Sequence, residues 1–98
     1  MRMLITFEAF ESITGVDQVA HLRQQVGVAI ERTMKAGVVE SSGIWMAGRG
    51  GFLVVEVESA EQLFGLLGGE IVDHMKIEAR PVIAVETLVK YFGEHPAA

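Results

Sequence analysis

Residues 44–57 read IWMAGRGGFLVVEV, two runs of strand-forming residues on either side of the glycine-rich segment 48–51. Short apolar runs separated by a glycine-rich reversal are typical of a β-hairpin. The pattern therefore predicts one strand over 44–47, a turn, and a second strand over 52–57.

Two further strands flank this hairpin, one before it and one after it. Residues 2–10 and residues 77–85 both alternate between apolar and polar positions. Alternation with a period of two is the pattern of a strand that has one buried face. Pro81 cannot donate a hydrogen bond to a neighbouring strand, so the last strand is predicted to lie at an edge of the sheet.

Helices are predicted between the strands from their start signals and their apolar spacing. Thr14 and Asp17 resemble a capping box and precede a helix over about 15–36. Ser59 and Gln62 form a second capping box before a short helix. The order of elements is then β-α-β-β-α-β.

This order is typical of the ferredoxin-like α+β fold, when its crossover connections are right-handed. The fold has a four-stranded antiparallel sheet of strand order 4-1-3-2, with two helices on one face. The sequence contains no repeat or linker, which predicts a single domain over 1–98. Apolar residues at helical spacing over 88–92 predict a C-terminal helix or arm, and 93–98 is expected to be a flexible tail.

Composition excludes several classes of function. Half of the 98 residues are hydrophobic, which is enough for a core, and there are no cysteines to form disulfides, thiolate nucleophiles or Cys-ligated metal sites. The net charge of −5 offers nucleic acid no basic surface. No apolar run approaches the ~20 residues of a membrane helix. We therefore expect a cytoplasmic protein without nucleic-acid or membrane partners.

The two faces of the predicted sheet differ in character. The face expected under the helices is wholly apolar and consists of Met3, Ile5, Phe7, Leu53, Val55, Val57, Ile77, Ile83 and Val85. The other face mixes apolar and charged residues, namely Leu4, Thr6, Phe52, Val54 and Val82 with Arg2, Glu8, Glu56, Glu78 and Arg80. Such a face is too apolar for water, so we expect a homodimer formed by sheet-to-sheet packing. A monomer with a partly apolar wet face is the alternative.

The predicted topology gathers polar residues at one rim of the sheet, beside an apolar pocket for a small ligand. His21, on the flank of the first helix, is a candidate acid or base, and Glu8 is a candidate base. The alternatives are a solvated helix histidine and an ion pair between Glu8 and Arg80 across neighbouring strands.

Four more side chains are candidates for substrate binding. Arg49 and Arg80 can bind an anionic group, although an arginine in a turn is usually solvated. Trp45 is either a stacking surface or part of the core or an interface. His74 follows Asp73, whose carboxylate favours the imidazolium, or else contributes only loop polarity.

No cofactor or metal is expected from the sequence. The segment 48–51 is not a dinucleotide fingerprint, because Leu53 stands where its third glycine belongs. His21, His74 and His95 do not have the spacing of metal ligands.

Three segments resemble muconolactone isomerase and the small dimeric α/β-barrel proteins related to it: 45–48 (WMAG), 51–57 (GFLVVEV) and 59–63 (SAEQL). The resemblance implies a ferredoxin-like fold, a face-to-face dimer and an apolar pocket between sheet and helices. Members of that superfamily include isomerases, cofactor-free oxygenases and proteins with no assigned activity.

Three functions are consistent with these observations. The first is an enzyme that uses acid–base chemistry without a cofactor on a small carbonyl or lactone compound. His21 with Glu8 would supply the base, and Arg49 or Arg80 would stabilise the enolate oxygen. The second is a ligand-binding or accessory module without catalysis. The third is a protein-interaction subunit that uses the C-terminal arm.

Overall fold

The computed structural model describes residues 1–96 and shows an α+β protein. Its elements, in chain order, are β1 (Arg2–Ala9), α1 (Val16–Lys35), β2 (Val39–Ile44), β3 (Gly50–Glu56), α2 (Ala60–Leu67), α3 (Gly69–His74), β4 (Met75–Pro81) and α4 (Val85–Glu94). No helix in the described part of the chain is both long enough and apolar enough to cross a lipid bilayer.

The four strands form one open sheet of order β2-β3-β1-β4. Counted from the β4 edge, this is 4-1-3-2. All three pairs of neighbours, β2 with β3, β3 with β1 and β1 with β4, are antiparallel, which confirms a four-stranded antiparallel sheet. β1 lies inside the sheet, between strands that follow it in the sequence by more than 40 residues.

The predicted hairpin exists, but its first strand was placed too late. β2 covers Val39–Ile44, and the predicted strand residues Trp45 and Met46 lie in the turn that leads to β3. The last strand was also placed too late, because β4 begins at Met75 and ends at Pro81. Ile83 and Val85, predicted to be buried, are 66% and 70% exposed because they follow the end of the strand.

The described residues form four helices, where two helices on the sheet and a C-terminal helix or arm were predicted. α1 agrees with the predicted 15–36, but its N-cap is Gly15 and no side chain caps it, so the Thr14–Asp17 capping box is wrong. The capping box at α2 is confirmed, since the amide of Gln62 donates to Ser59 Oγ at 3.1 Å. The C-terminal helix predicted from residues 88–92 is present as α4, and α3 is the additional helix. α4 extends to Glu94, into the predicted tail 93–98, of which residues 97–98 lie outside the described part.

The core lies between the sheet and the first three helices. Its sheet side consists of Met3, Ile5, Phe7, Leu53, Val55 and Met75, and its helix side includes Leu22, Ala29, Leu63 and Ile71. These strand residues alternate with the half-buried Leu4, Thr6, Phe52 and Val54 on the opposite face. α4 takes no part in the core, since none of its residues is buried.

Candidate functional site

An apolar concavity opens between α1 and the helix-covered face of the sheet. This cleft has a volume of about 230 Å³. All four strands contribute to it at one end of the sheet, and its lining consists of Phe7, Ala9, Val19, Leu22, Arg23, Val26, Ile44, Gly48, Arg49, Gly50 and Met75. We call it the α1 cleft.

The spacing of residues along α1 explains the wall that this helix presents to the cleft. Val19, Leu22, Arg23 and Val26 are separated by three or four positions and therefore lie on one face of the helix. Arg23 thus lies within an apolar stripe. Among the described residues its guanidinium has no hydrogen bond or ion pair with another side chain, so it is available to an anionic or carbonyl oxygen.

Arg49 lines the same cleft but is held by the loop between β1 and α1. Its Nη1 donates to the carbonyl of Ile13 and its Nη2 donates to the carbonyl of Phe10, both at 2.6 Å. Its own carbonyl accepts from the amide of Ala9 at 2.9 Å. Arg49 therefore joins the β2–β3 turn to the loop that precedes α1, and its first role is to position this loop.

A smaller pocket of about 100 Å³ adjoins the cleft and contains two of the predicted residues, His21 and His74. Both imidazoles line it, although they are 53 positions apart in the sequence. Gln18, Leu22 and Gln25 of α1 complete most of its wall. Leu22 lines both the pocket and the α1 cleft, so the two spaces are neighbours that share this side chain. We call the smaller space the histidine pocket.

Glu8, Trp45 and Arg80 lie on the opposite face of the sheet. Glu8 and Trp45 line a shallow depression there, and Arg80 lines a second one. The sheet therefore separates Glu8 from His21, with which it was expected to act. Trp45 packs on Phe52 with ring centroids 5.8 Å apart.

The expected ion pair between Glu8 and Arg80 is wrong, because the strand register differs from the expected one. Glu8 stands opposite Lys76, and Arg80 stands opposite Leu4. Arg80 instead lies 3.6 Å from Glu78, whose carboxylate also lies 3.5 Å from Lys76. These pairs are exposed and contribute little to stability.

Among the described residues, the carboxyl group of Glu56 has a shifted pKa. The pKa of Glu56 lies below its ordinary value, chiefly because the Met1 ammonium donates to it at 2.7 Å and Arg2 is close by. This group lies on the face of the sheet away from the cleft. Among the described residues, no group of three or more His, Cys, Asp or Glu side chains is placed to hold a metal ion.

Sequence reasoning named His21, His74 and Arg49 but missed Arg23 and the two glutamines. A signal for them was present in α1. Residues 19, 22, 23 and 26 form one helical face, and residues 18, 21, 22 and 25 form the next. The first face contains an arginine and forms the wall of the α1 cleft. The second face contains a histidine between two glutamines and forms the wall of the histidine pocket.

The chain matches no protein-family model, and no curated protein is significantly similar to it in sequence. The resemblance to muconolactone isomerase and the cytoplasmic location therefore stay predictions.

Proposed function

We propose that the protein binds a small, largely apolar compound that carries a carboxylate or carbonyl oxygen. The observation that carries this proposal is Arg23, an exposed arginine of α1 that lines the α1 cleft among apolar side chains. Small-molecule sites combine apolar walls with a few placed polar groups. The apolar part of the ligand would contact Phe7 and Val26, and its oxygen would accept from Arg23.

A pair of ligands that share a ring but differ in charge tests this binding. We expect benzoate to shift the amide resonances of the cleft residues in an NMR titration, and the neutral benzyl alcohol to bind more weakly. Arg23→Gln should remove the preference for benzoate, because the charge-assisted hydrogen bond is lost. Arg80→Gln is the matched control, since Arg80 lies on the other face of the sheet. The proposal fails if Arg80→Gln, and not Arg23→Gln, removes the preference, or if neither ligand binds.

The second candidate is the enzyme predicted from the sequence, a cofactor-free catalyst acting on a small carbonyl or lactone compound. It is favoured by the position of His21 and His74 in a pocket that shares Leu22 with the α1 cleft. An imidazole would take a proton from the carbon next to the carbonyl and return it to another carbon. Arg23 would stabilise the negative charge on the enolate oxygen.

Exchange of carbon-bound hydrogen separates catalysis from binding. An unsaturated five-membered lactone in D₂O should gain deuterium next to its carbonyl when the protein is present. His21→Gln or His74→Gln should lower this rate about 100-fold, the ordinary contribution of a general base, while the lactone still binds. His95→Gln is the control, because that ring stacks on Tyr91 in α4. Binding without any exchange by the unaltered protein would favour the non-catalytic ligand-binding module.

The proposed assembly is a homodimer of ferredoxin-like units packed sheet to sheet. Leu4, Phe52 and Val54 support it, because they form an apolar centre on the face that the helices leave uncovered. Val54→Lys should produce a monomer in sedimentation velocity, since it would bury a charge between the sheets. Val28→Lys, on the exposed side of α1, should leave the sedimentation coefficient unchanged. An unaltered protein that sediments as a monomer at high concentration would contradict the dimer.

A further inference from the structure

Helix α4 has an apolar stripe that the rest of the described chain leaves largely exposed. Val85, Leu88, Val89 and Phe92 are separated by three or four positions, and their exposed fractions are 70%, 45%, 65% and 59%. An isolated helix of ten residues is only marginally stable in water, and most helices in proteins are stabilised by packing of an apolar face. The stripe therefore requires a surface to pack on.

The molecule as a whole exposes more surface than a compact monomer of its mass. A monomeric protein of 10.7 kDa exposes about 5,500 Å² by the usual scaling, whereas this chain exposes 6846 Å². Its radius of gyration is 16.3 Å, against about 12.6 Å for a compact domain of this length. The surplus of about 1,300 Å² is more than the ~800 Å² that each partner buries in a standard interface.

A second uncovered apolar surface lies at the turn between β2 and β3. Ile44 is 67% exposed, Met46 is fully exposed and Trp45 is 36% exposed. Ile44 also forms part of the open mouth of the α1 cleft. We call these three residues the hairpin tip.

Helix α4, which we call the arm, and the hairpin tip lie at opposite ends of the sheet. The arm leaves β4 beside the start of β1, where Pro81 stands opposite Met3. The hairpin tip adjoins the end of β1, where Gly50 stands opposite Glu8. The 56 Å long axis of the molecule indicates that α4 continues away from the sheet and does not fold back toward its own tip.

We propose that α4 is an exchanged arm, which packs its apolar stripe on the hairpin tip of a second copy of this chain. A two-fold axis that reverses the strand direction places each arm at the partner's hairpin tip. The dimer then contains two equivalent contacts, and each of them covers one arm and one hairpin tip. In this position Leu88 and Phe92 close the mouth of the partner's α1 cleft. This closure, though not the exchange itself, rests on the proposed ligand binding.

Because the chain has no cysteine, engineered thiols give a direct test. Met46→Cys and Phe92→Cys are made separately, one is labelled with ¹⁵N, and the two full-length proteins are mixed and treated with a short bismaleimide linker. We expect mass spectrometry to find a linked dimer of one labelled and one unlabelled chain, joined between positions 46 and 92. The same mixture with Glu61→Cys, on exposed α2, in place of Phe92→Cys should give only background linkage.

A chain that carries both substitutions is treated with the same linker. Three outcomes would overturn the exchange: no linked dimer from the mixture, linkage only between two copies of Phe92→Cys, or linkage of 46 to 92 only within the doubly substituted chain. The second outcome would leave a dimer but pair the arms with each other, and the third would place the arm on its own tip.

The closure of the cleft has its own readout. Leu88→Gln with Phe92→Gln should weaken benzoate binding about tenfold, the scale of losing a packed apolar contact. If the unaltered protein does not bind benzoate, the proposed function fails while the linkage result still decides the exchange. If linkage occurs and the double variant binds benzoate normally, the arm does not close the cleft.

Discussion

At the scale of single residues, the two arginines of the α1 cleft have different environments and therefore different expected roles. Arg49 donates to two main-chain carbonyls, whereas Arg23 lies in the apolar stripe of α1. The sequence pointed to Arg49 because it lies in a glycine-rich turn, but it contained no sign of the carbonyls that hold it. Those carbonyls belong to Phe10 and Ile13, 39 and 36 positions away, a proximity that only the folded chain creates.

Arg49→Met should destabilise the protein. Hydrogen bonds to a charged group contribute about 1.5–3 kcal/mol each, and partial exposure of this pair reduces the value, so we expect a total loss of about 1–3 kcal/mol. Urea unfolding followed by circular dichroism measures the change. Arg23→Met should stay within about 0.5 kcal/mol of the unaltered protein, as substitutions outside hydrogen-bond networks usually do. Equal losses for the two variants would contradict the assigned roles.

Gly50 is required by the close approach of β3 to β1. A Cβ at this position would overlap the carbonyl oxygen of Phe7, which is main chain and cannot turn aside. Gly50→Ala should therefore cost about 1–3 kcal/mol, the scale of an overpacked core. Gly27→Ala, inside α1 with open space around the new Cβ, should instead add about 0.5–1 kcal/mol to stability. Thermal unfolding of the two variants should show shifts of opposite sign.

At the scale of elements, the positions of strands and helices could be predicted where apolar residues repeat regularly, and not where they do not. β1 and α1 were placed within one or two residues because their apolar residues repeat clearly. β2 was placed too late because its sequence, VESSGI, contains two serines and a glycine, and a bulge interrupts its pairing between Val39 and Ser41. The register of β1 with β4 could not be predicted from the sequence either. A start of β4 only two residues earlier than expected places Glu8 opposite Lys76 and not beside Arg80.

Of the two predicted helix caps, the one at α2 forms in the structure and the one at α1 does not. The effect of each cap on stability can be measured. Ser59 accepts from the amide of Gln62, and Gln62 Oε1 accepts from the amide of Glu58 at 2.7 Å. Ser59→Ala should cost about 1 kcal/mol, the usual value of an N-cap. Thr14→Ala should have little effect, because no side chain caps α1. A comparable loss for Thr14→Ala in chemical denaturation would show that the α1 cap forms in solution.

At the scale of the whole molecule, the uncovered surfaces should make stability depend on protein concentration. A dimer that buries the outer sheet face unfolds with a melting temperature that rises with concentration. We expect about 3–5 °C per tenfold increase for the unaltered protein, measured by calorimetry. The melting temperature of Val54→Lys should stay constant over the same range of protein concentration. A constant melting temperature for the unaltered protein would argue against both the sheet-to-sheet dimer and the exchanged arm.

The central position of β1 also affects the protein during its synthesis. A ribosome releases β1 first, but both strands that flank it are made much later, and β4 ends only at Pro81. At about 5–20 residues per second, roughly 4–14 s pass between the synthesis of β1 and the completion of β4, its last neighbour. During that interval its apolar side chains and unpaired main chain are open to other contacts. We therefore expect this segment to be the main site of chaperone binding and of aggregation when translation is slowed.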